Sequence, residues 1–377
     1  MRITIIAPIY PYRGGIAHDT ANMVKSLEKK HEVTVVSFTL LYPKILYPGN
    51  TQKEDSSSDF FKFDNSVFLL NSVNPFSYIK TAGYIKKQNP DLIVFQWWHP
   101  FFAPAYWSIL KLLKKKYKSL FICHNVLPHE HFPLQNILVR SVFKKGNFFI
   151  VQSPLDEENL TKLVPNAQYK RTIHPTYDFF RRKEMSKDDA RKLLGIADDV
   201  PLLLFFGFIR EYKGLKHLIR AMPKIIDKII NVRLLIVGEI FSGEEKTYAD
   251  IITQSKCENQ ITMINRYVRD NEVEPYFSAC DLVVLPYESA TQSGIAQIAF
   301  GFEKPVVVTN VGGLPDAVDD NKTGFVVPPC DSNALADAVV RFFLENKAAE
   351  FAMNIKEATK NNSWDFRSRL IEELAGM

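Results

Sequence analysis

Apolar and polar positions fall into two alternating series along the chain. From residue 3 to about 173, short apolar runs at 3–7, 33–38, 67–70, 91–96, 119–123 and 148–152 predict strands. Between them, apolar residues recur every three or four positions near 16–29, 76–88, 102–116, 135–144 and 154–163, which predicts helices. A second series predicts strands at 202–207, 232–238, 260–264, 281–285, 305–309 and 324–327, with helices at 214–229, 246–256, 271–278, 294–301 and 331–345. Alternation of this kind predicts parallel sheets wrapped by helices. The expected fold class is α/β, with two Rossmann-like, doubly wound domains facing across a cleft.

The alternation breaks around His174-Pro175-Thr176-Tyr177-Asp178, and 181–192 is heavily charged, which puts the interdomain connection at about 174–185. The expected domains are 1–175 and 176–359, and no close repeat relates them. The polar segment 41–66, carrying Ser56-Ser57-Ser58, reads as a long loop. Near the end, Asn361-Asn362-Ser363-Trp364-Asp365-Phe366 opens an amphipathic helix at Ser363.

Composition narrows the class. At 377 residues, 46% apolar and 12% aromatic, the chain has material for two cores and is not globally disordered. Its net charge is +5, from 47 basic and 42 acidic residues, which does not indicate a nucleic-acid binder. Cys123, Cys257, Cys280 and Cys330 are scattered, as expected of reduced, cytoplasmic thiols. The opening Met1-Arg2-Ile3-Thr4-Ile5-Ile6-Ala7-Pro8 reads as a first strand rather than a signal peptide, and no apolar run reaches the roughly 20 residues a bilayer span needs.

Four constellations carry chemistry. In Leu202-Leu203-Leu204-Phe205-Phe206-Gly207-Phe208-Ile209-Arg210-Glu211-Tyr212-Lys213-Gly214, Gly207 ends a buried strand and two cations follow at its carboxyl end, where open α/β sheets bind ligands. A planar guanidinium fork and a compact ammonium suit a diphosphate, although two solvated loop cations would leave the same pattern. Arg13-Gly14-Gly15 opens the first helix and lets backbone approach an anion, as any βα turn with glycines would. The Gly-x-Gly-x-x-Gly fingerprint of dinucleotide cofactors is absent there. In Cys123-His124-Asn125-Val126-Leu127-Pro128-His129-Glu130-His131, His124 is the first polar group past a strand, whereas His129 and His131 read as structural and no metal-ligand spacing is present. Finally, Leu285-Pro286-Tyr287-Glu288-Ser289-Ala290-Thr291-Gln292-Ser293-Gly294-Ile295-Ala296 runs from a strand through a polar loop into a helix capped by Thr291 or Ser293, with N–H groups near Gly294 and Ile295 available to an anion.

Taken in order, Gly14-Gly15, His124-Asn125, Arg210 with Lys213-Gly214, Tyr267-Val268, Thr291-Gln292-Ser293-Gly294 and Lys304-Pro305-Val306-Val307-Val308-Thr309-Asn310-Val311-Gly312-Gly313-Leu314-Pro315 resemble glycosyltransferase family 4 over nearly the whole chain. The resemblance implies the GT-B fold and transfer of a sugar from a nucleotide donor with retention at the anomeric carbon. It implies that Arg210 and Lys213 hold the donor diphosphate, that Tyr267 and Val268 border the base, and that Gly14 and Gly15 approach the phosphates or the sugar. His124 would lie beside the reacting sugar, and Gly207, Glu239, Glu288, Thr291, Gln292, Ser293, Gly294 and Ile295 would complete the donor site. By the same analogy the 360–377 helix would pack back on the first domain. Two departures stand out: Phe208 takes the place where the family commonly has Arg, and the family's pair of glutamates eight positions apart is missing, with Glu288, Gln297 and Glu303 out of step.

The expected partners are a nucleotide-sugar donor and a glycan or lipid-linked acceptor, in cell-surface polysaccharide or glycoconjugate synthesis. No metal or other cofactor is expected, because there is no Asp-x-Asp pair and the cations and helix dipoles would oppose the charge on the leaving diphosphate. On the acceptor side, Trp97, Trp98 and His99, followed by the lysines of 111–118, read either as a surface for an anionic membrane or as core aromatics beside a solvated helix end. A nucleotide-sugar epimerase or phosphorylase of the same fold, and a non-catalytic sugar-nucleotide binding protein, are the alternatives.

Overall fold

The computed structural model describes residues 1–377 apart from 47–50, 54–62, 115, 129–131, 241–244, 291–292, 361 and 377. It divides into two compact units, Met1–Ile173 with Ser363–Met377, and His174–Asn362. The first begins with β1 (Arg2–Ile6), α1 (Gly15–Leu27), β2 (Glu32–Leu40), β3 (Ser66–Asn71), α2 (Pro75–Gln88), β4 (Leu92–Trp97) and α3 (Ala103–Leu113). It continues with β5 (Lys118–Cys123), α4 (Gln135–Phe143), β6 (Phe148–Val151), α5 (Pro154–Leu163) and β7 (Gln168–Arg171). The sheet order is β3-β2-β1-β4-β5-β6-β7, with every pairing parallel. Every residue of β4 is buried, as a strand covered on both faces must be.

The second unit contains α6 (Lys187–Leu194), β8 (Leu202–Phe206), α7 (Leu215–Ile226), β9 (Arg233–Val237), α8 (Glu245–Gln254), β10 (Ile261–Ile264) and α9 (Val273–Ala279). Then come β11 (Leu282–Leu285), α10 (Gly294–Gly301), β12 (Val306–Thr309), the short α11 (Leu314–Ala317), β13 (Gly324–Val327), α12 (Ser332–Leu344) and α13 (Ala348–Thr359). Its parallel sheet has the order β10-β9-β8-β11-β12-β13, so the fully buried β8 lies inside it. The reversal of order on either side of β8 puts the segments after β8 and β11 at a switch point, where such sheets bind ligands.

The last helix, α14 (Trp364–Leu374), belongs to the first unit. Its N-cap is Ser363, whose Oγ accepts the Phe366 N–H. Asp365 accepts from Ser26 of α1 and from Lys29 just beyond it, His31 meets Glu372 at 2.9 Å, and Leu370 and Ile371 join the cluster around Val24 and Leu27.

Besides the short α11, three elements lie outside the periodicity reading. β7 is an edge strand of Gln168-Tyr169-Lys170-Arg171, with too few apolar residues to read as one. α6 arises within the charged segment 181–192, where Ser186 caps it and only Ala190 and Arg191 are buried. α13 buries only Phe351 and Ile355. Of the polar segment 41–66, the described part includes a 3-10 turn at Lys44–Leu46 and a bridge between Lys53 and Tyr12, while Ser56, Ser57 and Ser58 lie outside the described residues.

Candidate functional site

In the second unit, three glycines let three loops meet at the end of β8. Gly207 has φ 101°, and a Cβ there would sit 3.2 Å from both Lys213 Nζ and Ile295 Cδ1. A Cβ on Gly238 would lie 1.9 Å from the Gly207 carbonyl oxygen, and one on Gly214 2.0 Å from that of Pro286. Arg210 begins a 3-10 turn, Glu211–Lys213, that closes with the Lys213 N–H donating to the Arg210 carbonyl. The turn carries Lys213 inward, so that it is 9% exposed with Nζ 5.5 Å above the Tyr287 ring. Among the described residues no hydrogen bond or carboxylate partner accompanies that ammonium. Burial, and then the charge of Arg210, pull its pKa from 10.5 down to about 8.

The β11–α10 segment borders the same place. Ser293 is the N-cap of α10, its Oγ accepting the Ala296 N–H, and the Tyr287 hydroxyl lies 3.3 Å from that oxygen. The first-turn N–H groups of Gly294 and Ile295 therefore sit at the positive end of the helix, with the Ile295 side chain against Gly207. Thr291 and Gln292 lie outside the described residues. Glu288 meets Lys216 Nζ and His217 Nε2, both at 2.9 Å; burial alone would raise its pKa, but these hydrogen bonds hold it below the usual carboxylate range. Phe208 stacks with Tyr267, ring centroids 6.1 Å apart, next to the buried Val268. The Glu239 carbonyl accepts the Ile209 N–H.

In the first unit, Gly14 is the N-cap of α1 with φ 104°, and among the described residues no atom lies within 4 Å of where a Cβ on Gly14 or Gly15 would be. One helical turn on, Asp19 is wholly buried, as is Gln96 on β4, and His124 follows β5. Gln96 Nε2 donates to Asp19 Oδ1 at 2.7 Å, which turns Gln96 Oε1 toward His124 Nε2, 2.6 Å away. An amide oxygen can only accept, so His124 carries its proton on Nε2. The backbone is pinned as well. His124 N–H donates to the Trp97 carbonyl, Val126 N–H donates to Asp156 Oδ1 at 2.6 Å, and Trp97 Nε1–H donates to the Val126 carbonyl. Burial raises the Asp156 pKa from 3.8 to about 6 despite those hydrogen bonds.

The acceptor-side reading of Trp97 is corrected. It is fully buried among Tyr106, Phe121 and Phe143, with its indole N–H satisfied, and is a core residue. Trp98 is half-buried and donates to the Tyr42 hydroxyl, while His99 Nδ1 accepts the Phe101 N–H and caps the 3-10 turn Pro100–Phe102. His129 and His131 lie outside the described residues. Asp19 and Gln96 were not flagged by sequence reasoning, yet each breaks an apolar pattern, one inside a helix and one in a buried strand.

Comparison with known proteins bears on these arrangements. The sequence model for the family Glycosyl transferases group 1 matches residues 186–362. N-acetyl-alpha-D-glucosaminyl L-malate synthase of Bacillus anthracis is 22% identical over 98% of this chain and 95% of its own. D-inositol 3-phosphate glycosyltransferase of Saccharomonospora viridis is 28% identical over 59% of this chain and 54% of its own. Apart from the Bacillus anthracis synthase, the chain spans about half the length of the first curated relatives it matches. Among solved structures, Anabaena HepE in complex with UDP aligns over 100% of both chains with TM-score 0.78 and 18% identity, and sucrose-phosphate synthase from Thermosynechococcus elongatus over 99% and 98% with TM-score 0.75 and 18% identity. Residues 186–362 are thus similar to the Glycosyl transferases group 1 family, and the two parallel-sheet α/β units match the fold of these GT-B structures.

Proposed function

We propose that this chain is a glycosyltransferase whose second unit binds a nucleotide-diphosphate sugar and whose first unit serves the sugar and a glycan or lipid-linked acceptor. The carrying observation is Lys213, a buried ammonium with no anionic partner among the described residues, beside the guanidinium-bearing Arg210. A buried cation left in this state is unfavourable until an anion arrives, and a diphosphate supplies two charges to two cations. The Gly294 and Ile295 N–H groups add a helix dipole. Phe208 with Tyr267 offers an aromatic edge to the base, and the Glu239 segment offers polar backbone at the end of β9.

Transfer breaks the bond from the anomeric carbon to the diphosphate, the electron pair leaving on phosphate oxygen, while an acceptor hydroxyl oxygen forms the new bond and gives up its proton. Arg210, Lys213 and the α10 amides oppose the charge that develops on the diphosphate. That set of donors does this without a metal ion. With retention, the acceptor attacks from the face the diphosphate leaves and a phosphate oxygen takes the proton; an inverted product linkage would refute that part. In the first unit, His124, its tautomer set by Gln96, offers an oriented imidazole to a sugar, and Gly14 and Gly15 offer backbone access. The family match and the named relatives are transferases, which does not favour the epimerase, phosphorylase or pure binding readings.

HepE was solved with UDP and with UDP-glucose, so these are the first donor probes. Thermal stabilisation against a panel of nucleoside diphosphates and their sugars is expected to select one base, because a bound donor raises the melting temperature by mass action. Loss of that shift in Arg210→Ala supports the assignment, and an undiminished shift refutes it. A lipid-linked acceptor would bring the first unit to an anionic membrane face. Within the lysine run, Lys111, Lys114, Lys116 and Lys118 are all exposed; Lys111 lies over Trp107, Lys116 over Tyr117, and Lys118 donates to the Ala375 carbonyl. Flotation with anionic liposomes at low salt tests this contact, and protein that stays unbound removes the membrane from the reading.

A further inference from the structure

His217, Glu288 and Cys330 come from three separate parts of the second unit. His217 lies in the first turn of α7, Glu288 in the segment after β11, and Cys330 in the turn after β13. One donor atom from each lies within 4.8 Å of the other two, and His217 Nε2 is 2.9 Å from Glu288 Oε1. An imidazole, a carboxylate and a thiol together form a mixed nitrogen, oxygen and sulfur donor set. We propose that these three side chains form a site for a divalent ion of zinc type, with water in the fourth position.

Bond lengths of about 2.3 Å to sulfur and about 2.0 Å to nitrogen or oxygen put tetrahedral ligand atoms roughly 3.3–3.7 Å apart, so side-chain rotation alone can close the set. A metal needs deprotonated ligands, which a carboxylate, a neutral imidazole and a thiolate provide. The competing partner has somewhere to go: Lys216, which shares Glu288 Oε1, also lies 3.6 Å from Glu211 Oε1. Of the four cysteines Cys330 alone is exposed, which gives an ion access from solvent. The site is separate from the diphosphate grip but tied to it by backbone, since the Glu288 N–H donates to the Tyr212 carbonyl between Arg210 and Lys213.

The test is a titration of the reduced, full-length protein with Co²⁺, an ion whose thiolate complexes absorb strongly in the near ultraviolet by charge transfer. One equivalent is expected to produce the band, and Zn²⁺ to displace it. Cys330→Ser, at an exposed position, is expected to fold, lose the band and bind Co²⁺ about tenfold or more weakly. Because Cys123, Cys257 and Cys280 are buried, a band that persists in that variant would overturn the proposal, as would its absence from the wild-type protein. Glu288→Gln is expected to weaken binding by a similar factor, and unchanged affinity would remove Glu288 from the site.

Discussion

Two ends of the second unit's sheet bury cations, and they treat them oppositely. At the amino ends of the strands, Arg191 is 1% exposed and saturated: Nε donates to the Ala279 carbonyl, Nη1 to those of Ala197 and Asp198, and Nη2 to Asp281 Oδ2. Lys304 nearby donates to the carbonyls of Ser278 and Cys280. At the carboxyl end of β8, Lys213 is nearly as buried and has, among the described residues, only the face of an aromatic ring. A buried charge is tolerated when its hydrogen bonds are filled and costly when they are not. Arg191 therefore belongs to the fold, whereas Lys213 is kept for something that arrives later.

The comparison breaks first on paired substitutions. Lys213→Met is expected to lower transfer about a hundredfold or more while leaving stability at neutral pH unchanged or raised. The wild-type ammonium, held near 8 against 10.5 when unfolded, costs on the order of 3 kcal/mol. Arg191→Met should do the reverse, costing about 3 kcal/mol because Asp281 loses its buried partner. Calorimetric melting and initial rates on both variants decide it; a Lys213→Met protein that melts lower and still transfers would make Lys213 structural.

The same residue gives a sign to the pH dependence. Its folded value of about 8 lies below the unfolded 10.5, so between them the unfolded chain binds more protons and stability rises with pH. Donor affinity runs the other way, falling as pH rises through about 8 and the ammonium is lost. A binding isotherm for a nucleoside diphosphate that is flat from neutrality to pH about 9 would contradict the assignment of Lys213 to the phosphates.

Much of this was legible in the chain because burial on both faces writes continuous apolar runs. Leu202 to Phe206 announced β8, and Arg210 and Lys213 followed it in plain view. What could not be read was the inward turn of Glu211–Lys213, since a loop lysine next to solvent and a buried one have the same spelling. Trp97 erred in the opposite direction, because an aromatic at a strand's end suits a core and a ligand equally well. Asp19 and Gln96 were silent for a related reason. Their partners are 77 positions apart, and only the parallel pairing of β1 with β4, and of β4 with β5, brings α1, Gln96 and His124 together.

The first unit sharpens the contrast, because its buried Asp19, Gln96 and His124 are bonded in a chain rather than held for a charge. Gln96→Leu removes the acceptor that fixes the proton on His124 Nε2 and is expected to lower kcat/KM between about tenfold and a hundredfold with little change in donor affinity. Nitrogen chemical shifts of labelled histidine should report a mixed tautomer for His124 in the variant. If the tautomer and the rate are both unchanged, the Asp19–Gln96 pair serves packing alone.

Asp156 is expected to show the smallest effect and tests whether the loop carrying His124 is held by charge or by shape. Its carboxyl titrates at about 6 when folded against 3.8 unfolded, so the folded state holds the extra proton between these values and stability falls as pH rises across that window. Asp156→Asn keeps an oxygen for the Val126 N–H, loses the titration and should flatten this slope. At neutral pH the relief of a buried charge and the weaker hydrogen bonds nearly offset, for a net change of about 1 kcal/mol. A slope retained in the Asn variant would locate the titrating group elsewhere. A large loss of activity without loss of stability would mean that the charge of Asp156, and not only its oxygen, governs where His124 sits.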